Sequence, residues 1–174
     1  MIRTGILEPD APIELLEGWL VKKMIKNPAH RVATRKTRLA LERVVGPGWS
    51  VDTQEAITTK DSEPEPDVSV VWGDTTKLID RHPRPDEVGL LVEIADSSLD
   101  RDRGPKRRAY AAAGIPVYWI VNLTDRCVEV FSQPSRQADP PTYDVQQVFK
   151  AGDSVPLILH GHQVGRIDVD AMLP

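Results

Sequence analysis

Two apolar runs of strand length, separated by a segment with a helical pattern, constrain the fold of this chain more than any other feature. The runs are VGLLVEIA at 88–95 and VYWIVNL at 117–123, both rich in the residues that strands favour. The segment between them, at about 103–113, has a helical pattern that Gly114 closes. A strand–helix–strand unit is almost always a right-handed crossover, so we expect two parallel strands in one sheet.

Further patterns extend this unit into a mixed sheet. NPAHRVATRKTRLALERVVG predicts a helix over 27–46, with Asn27 as N-cap and Pro28 in the first turn. The other predicted strands are IELLEGWLVKKM at 13–24 (two short strands around a turn, or a short helix at 11–17), WSVDTQEAITT at 49–59, DVSVVW at 67–72, RCVEVFSQ at 126–133, YDVQQVF at 143–149 and two short strands near 155–168. The fold class is therefore α/β or α+β, a mixed β-sheet flanked by helices. The length of 174 residues favours a single domain over 1–174.

Composition narrows the class of protein. Hydrophobic residues make up 40% of the chain and charged residues 28%, which is ordinary for a globular domain. The most apolar stretch, at 109–121, is short and contains Gly114 and Pro116, so no membrane span is predicted. The N-terminus lacks the apolar core of a signal peptide, which predicts a cytoplasmic protein. The single cysteine, Cys127, excludes an internal disulfide and a zinc site built on several thiolates.

Basic residues are concentrated in two segments of an acidic chain. The net charge is −4, but residues 22–43 carry eight basic side chains against one acidic side chain, so this segment is +7 and the remainder is −11. The sequence RDRGPKRR at 101–108 holds five more basic residues against Asp102. A solvated helix face explains either segment alone. The two together favour a partner that carries phosphate groups.

Glu93 is a charged residue in the middle of VGLLVEIA, and a carboxylate is rarely buried without a partner. If this strand and DVSVVW form an antiparallel hairpin in which Trp72 lies opposite Val88, then Asp67 falls opposite Glu93. Directly opposed Cβ atoms are about 5 Å apart. Two carboxylates at that distance need a cation between them or a proton on one of them. A divalent metal ion is the more useful explanation, because Mg²⁺ is typically held by one or two carboxylates and water.

Lys106 supplies a cation near this pair. On the predicted helix it shares a face with Tyr110 and Ala113, at spacings of four and seven residues, and this apolar face is the one that faces the sheet. We therefore expect its ammonium to point toward the two carboxylates. There it could orient a water molecule or stabilise charge on a phosphoryl group. The alternative is a lysine whose ammonium reaches solvent.

At this point a family resemblance adds to the pattern. SEPEPDVSVV and LLVEIADSSLDRDRGPKRRAYAAAGIPVYWIVNLTDRCVEVF resemble the Uma family of restriction-endonuclease-like bacterial proteins, which is placed in the PD-(D/E)xK nuclease superfamily. The likeness is most specific over 62–131 and implies a phosphodiesterase that depends on Mg²⁺ or Mn²⁺. It matches Asp67 and Glu93 to the metal-binding residues and Lys106 to the lysine that assists hydrolysis. In much of the superfamily that lysine stands at the position of Ala95.

The same resemblance adds residues at the edge of this site. IELLEGWLV is similar to the family's N-terminal signature, which implies that Glu14 is an extra metal ligand or an orienting residue, although Ile13 and Trp19 depart from the signature. His30 of NPAH matches a histidine that could touch substrate, with helix capping or solvent exposure as the alternative. Gln54 matches a frequent family glutamine or is an ordinary polar residue at a strand edge.

These residues predict a metal-dependent endonuclease that hydrolyses phosphodiester bonds of nucleic acid, with DNA favoured. The side chains expected to contact the nucleic acid are His30, Arg31, Arg35, Arg103 and Arg107. Two alternatives stay open. One is a nuclease-fold binding or regulatory protein without significant catalysis, and the other is a phosphodiesterase acting on small nucleotides. Aromatic residues and the proline-rich segment at 133–141 would suit a homodimer surface.

Overall fold

The computed structural model describes residues 11–23 and 26–174. The strands are β1 (Ile13–Leu16), β2 (Trp19–Lys22), β3 (Trp49–Asp52), β4 (Val68–Trp72), β5 (Val88–Ala95), β6 (Val117–Asn122), β7 (Cys127–Ser135), β8 (Thr142–Lys150), β9 (Ser154–Leu159) and β10 (His162–Asp168). The helices are α1 (Pro28–Glu42), α2 (Leu99–Arg101) and α3 (Arg107–Ala113), with a π-helical turn at Asp102–Lys106 and 3₁₀ turns at Thr75–Lys77, Pro85–Glu87 and Val169–Ala171. Within this part of the chain, no helix is long and apolar enough to cross a membrane.

Six strands form one mixed sheet in the order β3-β4-β5-β6-β7-β8. β5 and β6 are parallel, with Glu93 beside Ile120, and the other neighbouring pairs are antiparallel. The predicted strand–helix–strand crossover is therefore confirmed. β1 with β2, and β9 with β10, form separate antiparallel hairpins. The fold is the mixed sheet flanked by helices that the sequence predicts.

Each face of the sheet has its own layer. On one face, α1 and the β9–β10 hairpin cover a core that includes Leu90 and Trp119. On the other face, α3 covers Leu91 and Tyr118. Because side chains alternate along a strand, Glu93 faces α3, on the same side as Leu91. The helix that follows β5 is therefore the element that can supply a partner for this carboxylate.

α1 and β3 both end several residues earlier than predicted. α1 ends at Glu42 rather than at 46, where the carbonyl of Leu41 accepts a tighter, 3₁₀-type hydrogen bond from the amide of Val44 as well as one from Val45. β3 ends at Asp52 rather than at 59. Two residues later the backbone of Gln54 has a φ of 59°, a left-handed conformation that a strand does not contain. Both differences shorten the element without moving it.

The predicted register of β4 against β5 is right at one end and wrong at the other. Val68 pairs with Val92, as predicted. Trp72 does not lie opposite Val88, since Val71 is the residue that pairs with Val88. The unpaired residue on β5 is Gly89, which forms a bulge. The predicted register is therefore correct next to Asp67 and Glu93, where the predicted site lies.

Gly89→Ala should destabilise the fold, since a Cβ atom at this position would lie 2.6 Å from the ring of Trp49 and 2.8 Å from Leu159. We expect a loss of about 1–3 kcal/mol in the free energy of unfolding, measured by urea denaturation. Gly46→Ala is the matched control, because a Cβ atom at Gly46 meets nothing within 4 Å. Equal unfolding free energies for the two variants would contradict the close approach at the bulge.

Candidate active site

A cavity lies at the end of the sheet where β4 begins and β5 ends. Its volume is about 60 Å³, which is room for a few water molecules or a cation but not for a nucleotide. The cavity brings together the five predicted residues Glu14, His30, Asp67, Glu93 and Lys106. They come from β1, α1, the residue before β4, β5 and the π-helical turn. Residues far apart in sequence therefore meet at one point of the fold.

Asp67 directly precedes β4, and protein donors hold both of its carboxylate oxygens. Oδ2 accepts hydrogen bonds from the backbone amide of Ile94 at 2.9 Å and from Nε2 of His30 at 3.0 Å. Oδ1 lies 3.2 Å from Nζ of Lys26. Burial acts to raise the pKa of Asp67, but the hydrogen bond and charge of His30, with the charge of Lys26, bring it below its usual value. Asp67 is therefore an ionised carboxylate.

Glu93 is 3% exposed, and its two known donors share one oxygen. Oε1 accepts hydrogen bonds from Nζ of Lys106 at 2.9 Å and from the hydroxyl of Tyr110 at 2.6 Å. No residue that the structure describes donates a hydrogen bond to Oε2. Burial raises the pKa of Glu93 to about 8 despite the nearby ammonium, and the carboxylates of Asp102 and Asp67 add to the effect. At neutral pH this group favours a proton or a further cation.

Lys106 is directed by the π-helical turn at whose end it stands. Gly104, inside this turn, is non-helical, and such turns often occur at functional sites. The lysine side chain is 9% exposed and points to the sheet as predicted, with Nζ 2.9 Å from Glu93 and 3.7 Å from Oε2 of Glu14. Burial acts to lower the pKa of Lys106, but Glu93 and Glu14 raise it well above its usual value. The ammonium therefore stays charged.

Glu14 faces the cavity from β1 and is engaged by cations. Its oxygens lie 3.8 Å from Arg101 and 3.7 Å from Lys106. Over residues 11–23 and 26–174, no group of three or more histidine, cysteine, aspartate or glutamate side chains is arranged to hold a metal ion. Mg²⁺ needs only one or two carboxylates when water completes its shell, so Asp67 and Glu93 fit this ion. The contacts of Glu14 favour the orienting role over the ligand role.

Three further residues in or beside the cavity give little signal in the sequence. Asp102 is buried, accepts a hydrogen bond from Ser98 at 2.6 Å, and has its pKa raised by burial to about 6. Its spacing of four residues before Lys106 could have indicated that both share a helix face. Tyr110 is predicted only as an apolar position, although its hydroxyl binds Glu93. Lys26 is predicted only as part of a basic segment.

The predicted nucleic-acid contacts separate into two groups. Arg31 and Arg35 are exposed on α1, and they line a shallow groove with Arg38 and Gln54. Neither Arg31 nor Arg35 forms an ion pair with an acidic residue in the described part of the chain. His30 belongs instead to the cavity, where it is buried beside Asp67.

Arg103 and Arg107 are held against the sheet. Arg103 donates two hydrogen bonds to the buried carboxylate of Glu129, at 2.9 Å and 2.6 Å. The guanidinium of Arg107 lies 5.5 Å from the centre of the Phe131 ring. The structure therefore does not bring these two arginines together with the cavity. Their contacts fasten the helical segment that carries Lys106 to the sheet.

The mixed sheet flanked by helices is a restriction-endonuclease-like fold, and an aspartate, a glutamate from the next strand and a lysine meet at one of its cavities. The chain belongs to the Uma2 family, described as "Putative restriction endonuclease", whose family model matches residues 3–169. Membership supports a nuclease function in general terms.

The fold is similar to that of a putative nuclease belonging to DUF820 from Anabaena variabilis ATCC 29413, known from a crystal structure. The two chains are 15% identical, the TM-score is 0.67, and the match covers 98% of this chain and 94% of the other. At this identity the likeness shows the fold alone. No curated protein sequence matches the chain.

Glu93→Gln should change how stability depends on pH. The folded protein keeps the Glu93 proton to about pH 8, whereas the unfolded chain loses it near pH 4.5. This stabilisation is complete below pH 4.5 and is lost as pH rises toward 8, at up to about 1.4 kcal/mol per pH unit. Glutamine does not titrate. The unfolding free energy of the variant relative to the wild type should therefore rise between about pH 5 and pH 8, measured by urea denaturation without divalent ions.

Glu87→Gln is the control for this experiment. The Arg81 guanidinium lowers the pKa of Glu87 to about 2, so its titration is complete below about pH 5 and its difference from the wild type should stay constant. The carboxyl of Asp102 titrates in all three proteins, and its contribution cancels when Glu87→Gln is compared with the wild type. Parallel profiles for the wild type and Glu93→Gln would show that Glu93 is not held in its neutral form.

Proposed function

We propose that this chain is a Mg²⁺-dependent endonuclease that hydrolyses phosphodiester bonds of nucleic acid, with DNA favoured and Mn²⁺ as a substitute ion. The observation that carries the proposal is the meeting of Asp67 and Glu93 at a cavity that also receives the ammonium of Lys106. The family description and the nuclease-like fold support it. The description of the family as a restriction endonuclease supports DNA as the substrate.

Asp67 and Glu93 would hold the metal ion. In each carboxylate one oxygen already accepts two hydrogen bonds from the protein, which fixes its orientation. The second oxygen of Glu93 would be available to the ion, and that of Asp67 would be available in exchange for its contact with Lys26. A divalent ion held by such a pair activates a water molecule and neutralises the scissile phosphate. Its charge would also take the place of the proton that burial favours on Glu93.

Lys106 would stabilise the charge that develops on the phosphoryl oxygens, or orient the attacking water. A preorganised charge in a site with little water acts more strongly than the same charge in solution. Glu93 and Glu14 fix the ammonium of Lys106 from two directions. Arg101 in turn contacts Glu14, so Glu14 acts as a positioning residue.

The backbone of the nucleic acid would cross the mouth of the cavity, because the cavity is too small for a nucleotide. Arg31 and Arg35 are on the exposed side of α1, the helix whose first turn carries His30 to the cavity. They would contact the phosphates beside the scissile one. Arg103 and Arg107 would not contact the phosphates, since Arg103 is bound to Glu129 and Arg107 packs on the ring of Phe131.

A nuclease-fold binding protein without catalysis is the second candidate. It is favoured by the cations that already contact Asp67, Glu93 and Glu14 in the structure. Titration with Mn²⁺ separates the two candidates, because the nuclease should bind the ion and lose it in Asp67→Asn. A binding protein should bind nucleic acid without any need for the ion. A phosphodiesterase for small nucleotides would cleave model diesters without affinity for duplex DNA.

The purified chain should nick or cut plasmid DNA in the presence of Mg²⁺ or Mn²⁺. Asp67→Asn, Glu93→Gln and Lys106→Ala should each reduce the rate at least about 100-fold, because each removes a charge from the reacting centre. Asp144→Asn and Lys150→Ala are matched controls on the exposed surface of β8 and should leave the rate unchanged. Metal-dependent cleavage that survives in both Glu93→Gln and Lys106→Ala would overturn the assignment.

Replacing Arg31 and Arg35 together with alanine should weaken binding to duplex DNA. Each phosphate contact that is lost should lower the slope of log K against log salt by about 0.9. Fluorescence anisotropy in the Glu93→Gln background measures this without cleavage. Arg126→Ala combined with Lys150→Ala removes the same charge from exposed positions on the opposite edge of the sheet and should leave the slope unchanged. Equal slopes for the two double variants would show that α1 does not contact the phosphates.

A further inference from the structure

Lys26 is the most exposed of the lysines that contact the candidate metal-binding carboxylates. Its Nζ lies 3.2 Å from Oδ1 of Asp67, and its side chain is 38% exposed, against 9% for Lys106. Lys26 precedes Asn27, the N-cap of α1, so it stands outside the helix. In the part of the chain that the structure describes, Asp67 is its one ion-pair partner. The contact is therefore a loosely held ion pair at the mouth of the cavity.

The oxygen that Lys26 contacts is the one that matters for a metal ion. Oδ2 of Asp67 already accepts hydrogen bonds from Ile94 and His30. Only Oδ1 is left for an external cation, and the ammonium of Lys26 stands against it. A cation that binds Asp67 must therefore displace Lys26. Lys106 differs in this respect, because its partner Glu93 has a second oxygen to which no described residue donates.

The charge of the cavity indicates where a displaced Lys26 would go. Six acidic side chains and four lysine or arginine side chains line the cavity, which gives a formal charge of −2 when every carboxyl is ionised. A phosphodiester is repelled by such a cavity, whereas a divalent cation would neutralise it. The ammonium of Lys26, once released, would be a free positive charge at the mouth, on a flexible stem of four carbons. A phosphate at the mouth is its natural new partner.

We propose that Lys26 is a phosphate-binding residue with two alternative partners. In the metal-free protein it neutralises Asp67. When Asp67 is occupied by a divalent cation, Lys26 binds a backbone phosphate oxygen of the nucleic acid and positions the substrate over the cavity. The proposal rests on the function proposed above. Lys26 would thus have opposite effects on the two ligands. It would compete with the metal ion for Asp67, and it would attract the nucleic acid.

Lys26→Met tests both effects. Without nucleic acid, the variant should bind Mn²⁺ about threefold more tightly than the wild type, the factor expected for removal of one partly exposed ion pair. The KM for cleavage of duplex DNA should rise about fivefold or more, with a smaller change in kcat. Isothermal titration measures the first quantity and steady-state kinetics the second. Local damage to the site would weaken metal binding instead of strengthening it.

Lys23→Met is the matched control. Lys23 lines the same cavity but pairs with Glu65, at 2.5 Å, so its removal takes away the same charge without freeing Asp67. Its affinity for Mn²⁺ should stay within about twofold of the wild type. Lys26→Arg keeps the positive charge and should retain both the metal affinity and the KM of the wild type. The two controls distinguish the contact with Asp67 from a general change of charge.

The outcomes separate the two proposals. If the wild type binds no Mn²⁺, the proposed nuclease function fails and the role of Lys26 fails with it. If the wild type binds Mn²⁺, Asp67→Asn abolishes binding, and Lys26→Met binds no more tightly, the nuclease function stands and the role of Lys26 is overturned. Tighter metal binding with an unchanged KM also overturns the proposal, because Lys26 would then have no contact with the substrate.

Discussion

The burial of the Glu93 carboxylate is the constraint on which the site depends. A charged group on the covered face of a sheet loses several kcal/mol of hydration unless donors replace the water. Lys106 and Tyr110 supply those donors, and both come from the helical segment after β5. The parallel crossover places this segment over the sheet, and the π-helical turn directs the lysine inward. Fold and site therefore share one set of contacts.

Hydrogen bonds from the protein fix the orientation of both carboxylates of the site. Asp67 and Glu93 each have one oxygen saturated by protein donors, so neither can rotate without losing hydrogen bonds. The contacts of Asp67 with His30 and Lys26 keep it ionised, while burial raises the pKa of Glu93 to about 8. Neighbouring acids whose surroundings shift their pKa values in opposite directions often occur at functional sites.

The sequence predicts the features that arise from local pattern. Strand phase, with the pairing of Val68 and Val92, predicts Asp67 beside Glu93, and the spacing of Lys106 from Tyr110 predicts that the lysine faces the sheet. The contact of Lys26 with Asp67 has no such local cause, since only the tertiary fold brings the segment before α1 to the start of β4.

The bulge at Gly89 is a second feature that local pattern does not predict. Two side chains from β3 and β9, Trp49 and Leu159, lie where a Cβ atom of residue 89 would be. Gly89 has no side chain whose alternation could reveal the change of register. Packing between distant elements therefore leaves room only for glycine at this position, which local pattern does not show.

Charge patterning in the sequence is a poor guide to which basic side chains are free to bind a ligand. The segment 101–108 looks like a basic surface, yet Arg103, Lys106 and Arg108 each pair with an acidic residue from elsewhere in the chain. In a chain with net charge −4, a cluster of basic side chains can form ion pairs with acidic side chains of the same chain and is then less available to a ligand. On α1, by contrast, Arg31 and Arg35 remain at the surface.

This division of charge bears on the order in which ligands would bind. A cavity with formal charge −2 repels a phosphate group, so a nucleic acid gains little from the cavity before a divalent cation enters. The exposed arginines of α1 can attract the backbone at any stage. On the proposed function, a bound ion would therefore turn a repulsive cavity into a neutral one, and close approach of the scissile phosphate would follow metal binding.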